Sequence, residues 1–346
     1  MSGAYAAATE AKIAMLDYVL SPLCQRTMRA ITCLATGKAF NDPYTVQASD
    51  DWSRSIRKAL AEAVPYYVSP EVCNALEAAH AAIPDYELRR EDLLTPFGWA
   101  YFSRPLPVDN SVDFEDIEKS TAGSIAEADW LGAMVGMSWA PLVLRAPDGQ
   151  LANEPINGES AGEITSDLAK ANSIIVHFYR ESTERRSGMP IASLTWVFGQ
   201  GMMNLYEVGH NDYQHDNLPA LSATTLQELK YFAALIAFMG QEIFPTRREK
   251  LPRDARKRLT RAGFDPGSEQ NEPRIIYLRR VTHRPEDAAD GTGVEYTHRW
   301  WVKGHWRNQW YPTENRHKPL WIHPHIKGPD GLPIAAKRDE LVAVVR

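Results

Sequence analysis

Six of the ten histidines (His283, His298, His305, His317, His323, His325) fall between residues 283 and 325, and five of the ten tryptophans (Trp300, Trp301, Trp306, Trp310, Trp321) between 300 and 321. Lysines and arginines are interleaved with both. Imidazoles can ligate a metal or carry a proton, indoles can fill a core or stack on a base, and cations can neutralise phosphates. The region can therefore build a dense core, a nucleic-acid surface or a metal site, and the strand pattern is what separates these readings.

Side chains alternate across a strand with period two. In the strand expected over 296–311, the even positions carry Trp300, Val302, Trp306 and Trp310. The odd positions carry Arg299, Trp301, Lys303, His305, Arg307, Gln309 and Tyr311. The strand expected over 318–327 places Leu320, Ile322 and Ile326 on one side and Trp321, His323, His325 and Lys327 on the other. Matching the apolar sides gathers Arg299, Trp301, Lys303, His305, Arg307, Gln309, Tyr311, Trp321, His323, His325 and Lys327 on one basic and aromatic face. Gly304 is a candidate bulge that would disturb this pattern. Such a face suits RNA or another anionic partner, because exposed rings stack on bases while cations hold phosphates. It equally suits a protein contact, or a covered face whose cations pair with acids elsewhere in the chain.

A metal reading uses His323 and His325, which flank Pro324, with His305 as a third nitrogen. The strands supply no carboxylate or cysteine, and neighbouring cations would repel a divalent ion. No metal and no cofactor are assigned. Residues 209–216 put two histidines and two aspartates in a loop, which is also ordinary turn chemistry. Gly199-Gln200-Gly201 lacks the lysine and helix of a phosphate loop and reads as a turn. No catalytic residue is named. A nuclease using C-terminal His and Arg residues stands as the enzymatic alternative to a binding protein.

The elements that would position this face form an α+β chain: a helical N-terminal part packed with a largely antiparallel sheet, ending in a C-terminal β-meander. Helices are expected over 4–37, from Asp50-Asp51-Trp52 to about residue 63, and from Ser69-Pro70-Glu71 to 82, where a cap precedes a first-turn proline. Strands are expected over 97–102, 133–144, 174–179 and 193–198, the last two joined by a polar loop over 181–188. Thr225 and Glu228 read as a capping box for a buried helix reaching about residue 243. A basic helical segment follows over 247–261, broken at Pro252 and stopped at Gly263. It carries Arg247, Arg248, Arg253, Arg256, Lys257, Arg258 and Arg261. The meander comprises 274–281, 296–311 and 318–327, with turns at 291–293 and 312–315. Three regions result: helical 1–90, α+β 91–220, and 221–346 with both later helices and the meander; these could also form one continuous domain.

With 44% hydrophobic and 24% charged residues, the 346-residue chain has the composition of a globular protein. The apolar run at 232–239 is far too short to span a bilayer. No signal peptide is read at the N-terminus, where Glu10, Lys12 and Asp17 interrupt any apolar stretch. Cys24, Cys33 and Cys73 suit neither a disulfide framework nor a zinc pattern, so a reducing cytoplasmic compartment is expected. The net charge of -6 conceals an asymmetry: residues 247–327 hold 18 Lys/Arg against 10 Asp/Glu, and the remainder 20 against 34. That asymmetry speaks to association with an anionic partner, or to pairing between the two parts.

The runs 301–312 (WVKGHWRNQWYP) and 318–329 (KPLWIHPHIKGP) resemble the second of the type V-A anti-CRISPR families, carried by phages and mobile elements. The segments 94–98 and 137–139, and the basic helix leading into 274–280, are similar as well. The resemblance implies a phage or mobile-element protein that evades host defence. It would do so by lowering production of a CRISPR effector nuclease at its translating message, through RNA, a ribonucleoprotein or the nascent chain. It brings no catalytic residues with it. A structural protein-interaction module is the remaining alternative.

Overall fold

A computed structural model describes residues 4–36, 38–109, 132–145, 152–155, 172–182, 185–202, 223–279, 297–329 and 331–334. Three helices open the chain: α1 (Ala6–Tyr18), α2 (Pro22–Thr36) and α3 (Pro43–Glu62). α3 begins earlier than the Asp50-Asp51 signal suggests. Asp42 caps it, its carboxylate accepting the Tyr44 N–H at 2.9 Å, and Pro43 occupies the first turn. Strand β1 (Val64–Val68) and helix α4 (Pro70–Ala79) follow, the latter with Ser69 at its cap and Glu71 in its first turn. Two short 3-10 turns, His80–Ala82 and Arg90–Asp92, lead into β2 (Gly98–Leu106).

Strands β3 (Met134–Arg145), β4 (Ala152–Pro155), β5 (Ser173–Ser182) and β6 (Arg185–Val197) complete the central part. β5 and β6 form a long hairpin that stays paired as far as Ser182 and Arg185, so the polar stretch expected to be a loop is largely strand. Helix α5 (Ala223–Met239) is buried almost all round. Glu228 lies inside α5 and accepts from Arg180 at 2.8 Å in a fully buried ion pair, a role different from the expected capping box. After α5 come β7 (Thr246–Arg248), α6 (Arg253–Arg261) and β8 (Arg274–Ile276). Arg247 and Arg248 are therefore strand residues, and the basic helix starts only after Pro252. Gly263, at φ +84°, adopts the left-handed conformation that ends α6.

Among the described residues, one eight-stranded sheet runs in the order β6-β5-β3-β2-β1-β8-β7, with β4 paired to β3. β1 is parallel to both β2 and β8, and the other pairs are antiparallel. The α+β class holds, with this sheet drawing strands from all three sequence regions. The first strand of the expected meander, 274–276, belongs instead to this main sheet. β1 was not expected; Pro65, its second residue, is a type that disfavours central strands. β8 pairs only from Tyr66 onward, so Pro65 sits where one side of the strand is unoccupied.

The sheet separates two cores. On one face Trp99, Val135 and Tyr179 pack against α1, α2 and α3. On the other, Tyr66, Phe102, Met137, Trp139, Val176 and Trp196 pack against α4 and α5. Cys24, Cys33 and Cys73 are buried, unbridged thiols. No helix among the described residues is long and apolar enough to cross a membrane.

Candidate functional site

The C-terminal hairpin is anchored to the α4/α5 layer. It comprises β9 (Trp300–Val302), β10 (His305–Tyr311), β11 (Arg316–Ile322) and β12 (His325–Lys327). β10 pairs with β11 and β9 with β12. The pairing offset is the same in both ladders: His305 faces Ile322 and Val302 faces His325. It is thus one hairpin interrupted at Lys303-Gly304 and, opposite, at His323-Pro324. Gly304 breaks the strand for a steric reason. A Cβ there would lie 2.4 Å from Cζ2 of Trp321 and 2.9 Å from Cδ of Pro324.

The register overturns the expected face. Residues directly opposite in an antiparallel pair share a side. The four-residue turn 312–315, with Asn315 at φ 51°, sets Tyr311 against Arg316. Odd positions of the outgoing strand therefore join even positions of the return strand. Trp306 stands opposite Trp321, their rings 5.3 Å apart and edge-on, and both contact Phe238 at the end of α5. Trp321, expected as a surface ring, is a core residue at 2% exposure. Burying 150–250 Å² of indole at about 25 cal/mol/Å² contributes about 4–6 kcal/mol toward holding the hairpin down. The Trp306 indole donates to Ala79 O at 2.8 Å, and Gln241 Oε1 accepts from the Trp321 backbone N–H at 3.2 Å. Trp310, expected inside, is 42% exposed beside His317.

A buried ion pair holds the turn. Arg316 Nη1 donates to Asp92 Oδ2 at 3.0 Å and Nη2 to Oδ1 at 2.5 Å, an arrangement that fits planar guanidinium to carboxylate. Lys318 lies 3.3 Å from Asp92 and 3.1 Å from Glu314, which also meets Arg316 at 2.8 Å. Burial pushes the Asp92 carboxyl up, but bonds from Arg316 and the Arg89 N–H, with Lys318 nearby, bring it below its ordinary value. These partners are more than 220 residues apart in sequence, and no local signal announces them.

The remaining candidates divide. Trp301 is 45% exposed and stands opposite Ile326, also exposed. Lys303, His305, Arg307, His323 and Lys327 are exposed; Arg299, Gln309, Tyr311 and His325 are partly buried. Arg299 bridges to exposed Ile334, and its Nε donates to Leu332 O at 2.8 Å. Lys327 lies over the Trp300 ring at 5.9 Å. Gln309, Tyr311, His305 and Arg307 share their side with Ile322, Leu320 and Lys318. The expected single face is thus split, with His325 and Lys327 standing opposite Val302 and Trp300 instead.

His305 Nδ1 is 3.0 Å from Lys303 O and His325 Nδ1 is 3.0 Å from His323 O, so each ring is engaged by a nearby carbonyl. Burial and the charge of His325 lower the His323 pKa. Among the described residues, His, Cys, Asp and Glu side chains do not gather in threes as a metal ion would need. The loop 209–216 and the turn at 291–293 lie outside the described residues. Gly199-Gln200 is a turn, with Gly199 at φ +81°.

A polar row not read from the sequence crosses the other face of the sheet. His177 Nδ1 lies 2.5 Å from Ser193 Oγ, which also accepts the Trp52 indole at 3.0 Å. Complete burial holds His177 neutral, its pKa down at about 3. Through the Trp52 indole the pair ties α3 to the sheet. The only advance signal is a polar residue at alternate positions in two apolar strands.

No family model matches the chain, and no curated protein matches it. Among solved structures, it is similar to the crystal structure of AcrVA2 at a TM-score of 0.39 and 12% identity. The match covers 91% of this chain and 98% of that one. It assigns no family, activity or residue role.

Proposed function

We propose that this chain counters host defence as an anti-CRISPR protein that works by binding, with the outer side of the C-terminal hairpin as its contact surface. The observation that supports this is the setting of Trp301. It is an exposed indole opposite exposed Ile326, on a hairpin fixed by Trp321, Trp306 and the Arg316–Asp92 pair. Lys303 and Arg307 stand exposed along the same strand pair. A rigid element carrying a large amphipathic ring among cations loses little entropy on association and offers stacking, apolar and charge contacts together. The hairpin is also the segment whose sequence resembles the type V-A anti-CRISPR family. On this reading the protein engages the translating message, as RNA, ribonucleoprotein or nascent chain, and lowers the amount of effector nuclease made.

The test co-expresses the chain with a type V-A effector nuclease and measures effector protein and message, with crosslinked partners recovered in parallel. The wild type should reduce the effector. A Trp301→Ala, Lys303→Ala, Arg307→Ala variant with unchanged circular dichroism should not. Arg299 is left intact because its bond to Leu332 O holds the adjoining segment. An unchanged effector level with the wild type, or full activity in the variant, would refute the proposal.

A further inference from the structure

We propose that α6 carries a second contact surface, for the phosphate backbone of a single nucleic-acid strand. The helix is held to α1 by Ala255 and Leu259, which are buried with Ala6 and Leu251 and flanked by Ile13 and Phe264. With that side inward, 3.6-residue periodicity sets Arg253, Lys257 and Arg261 along the opposite crest and Arg256 on one flank. All four side chains are exposed. The crest cations follow at about 6 Å intervals along the axis.

Four neighbouring arginines are already engaged. Arg258 pairs with Glu10, Arg247 with Glu249, Arg248 with Glu269 and Glu272, and Arg274 with Glu269. Among the described residues, Arg253, Arg256, Lys257 and Arg261 have no carboxylate within ion-pair distance. The four-residue spacing Arg253–Lys257–Arg261 stacks like charges, which repel one another along the helix. Arg261 in the last turn gains from the helix dipole, whereas Arg253 in the first turn works against it. A row of uncompensated cations fits a ligand that brings regularly spaced anions.

The class of ligand follows from what the helix lacks. A surface helix that binds a membrane needs an apolar side to insert, and the apolar side of α6 is already used against α1. Guanidinium forks match phosphate oxygens in pairs, which favours a phosphate chain over scattered carboxylates. α6 lies with α1 on one face of the sheet and the hairpin with α4 and α5 on the other, so this surface is separate from the hairpin.

Fluorescence anisotropy of the full chain with a labelled single-stranded RNA of about 20 nucleotides, titrated over salt, tests the proposal. Three phosphate contacts at about 0.7 counterions each predict that Arg253→Gln, Lys257→Gln, Arg261→Gln lowers the slope of log K against log salt by about 2. At about 0.1 M salt this is about 100-fold weaker binding. Arg248→Gln, which removes an already paired cation, should leave the slope unchanged. An unaltered slope in the α6 variant would overturn the proposal. So would tighter binding to phosphatidylserine vesicles or to polyglutamate than to RNA. Loss of RNA binding in the hairpin variant alone would support the hairpin and reject α6.

Discussion

Replacing Asp92 with asparagine should loosen the hairpin more than the body of the protein. The side chain keeps its shape but loses the charge that faces Arg316 and Lys318 in an interior where the Asp92 side chain is only 2% exposed. Removing one partner of a buried ion pair costs about 3–5 kcal/mol, because the other charge stays buried without compensation. Glu314, 2.8 Å from Arg316 and partly exposed, retains part of the interaction. The expectation is therefore the lower end, about 3 kcal/mol. Since Arg316 opens β11 beside the turn, the loss should be local, a rise of about 100-fold in the opening equilibrium of the hairpin amides. Hydrogen exchange of β10 and β11, with α5 as internal reference, reads this directly. A second substitution, Arg316→Met, should recover much of the loss, since two neutral groups leave no buried charge unpaired.

The pH dependence provides a second measurement on the same pair. Asp92 titrates lower in the folded chain than in the unfolded one, so its contribution is fully present above an unfolded value of about 3.9. It is lost as pH falls through the lower folded value. In Asp92→Asn that part of the acid limb should disappear. A change under about 1 kcal/mol, or equal acceleration of exchange in α5 and the hairpin, would refute the anchoring role.

Two further outcomes follow from packing and burial. Gly304→Ala should destabilise by about 1–3 kcal/mol, because the new methyl meets a Trp321 ring wedged against Trp306 and Phe238; a urea midpoint equal to wild type would show that the ring can yield. Lys12, buried with its Nζ donating to Ala63 O at 3.0 Å, has its pKa lowered to about 7 by burial, against an opposing pull from Glu62. The unfolded chain therefore holds this proton where the folded chain does not, and stability should rise between about pH 7 and 10.5. Lys12→Met should flatten that rise in urea titrations, and an identical slope in both proteins would contradict it.

The α+β class, the buried α5 and the turn at 312–315 were legible, because each is written in local chemistry: apolar periodicity, and Pro and Asn in a turn. Gly304 does interrupt the strand, but not as the expected bulge: residues 303–304 face 323–324 two against two and the register is unchanged. What escaped was set by distant partners. β1 is a strand because β2 and β8 flank it, despite Pro65. Arg248 became an edge-strand residue because β8 lies beside it. Asp92 and Glu228 look like ordinary helical acids until Arg316 and Arg180 arrive from elsewhere in the chain.

The misplaced Trp321 is a different case, because the information was local and lay in the turn. Whether two strands of a hairpin share odd with odd or odd with even positions depends on the parity of the loop between them. A loop of four residues sets 311 against 316, and every later pair inherits that offset, through the interruption and into β9 and β12. Matching apolar sides assumed the other parity, which would have required three or five residues in the turn. It also assumed one buried face along the whole hairpin. In fact the hairpin is covered in patches: Trp306 and Trp321 toward α5, Arg316 toward Asp92, and neither at Trp301, where the strand pair has passed beyond the core. Surface tryptophan at that position is consequently not packing left over from the core. The same fold that buries Trp321 and Trp306 leaves Trp301 and Ile326 exposed side by side, the pair on which the proposed contact surface is centred.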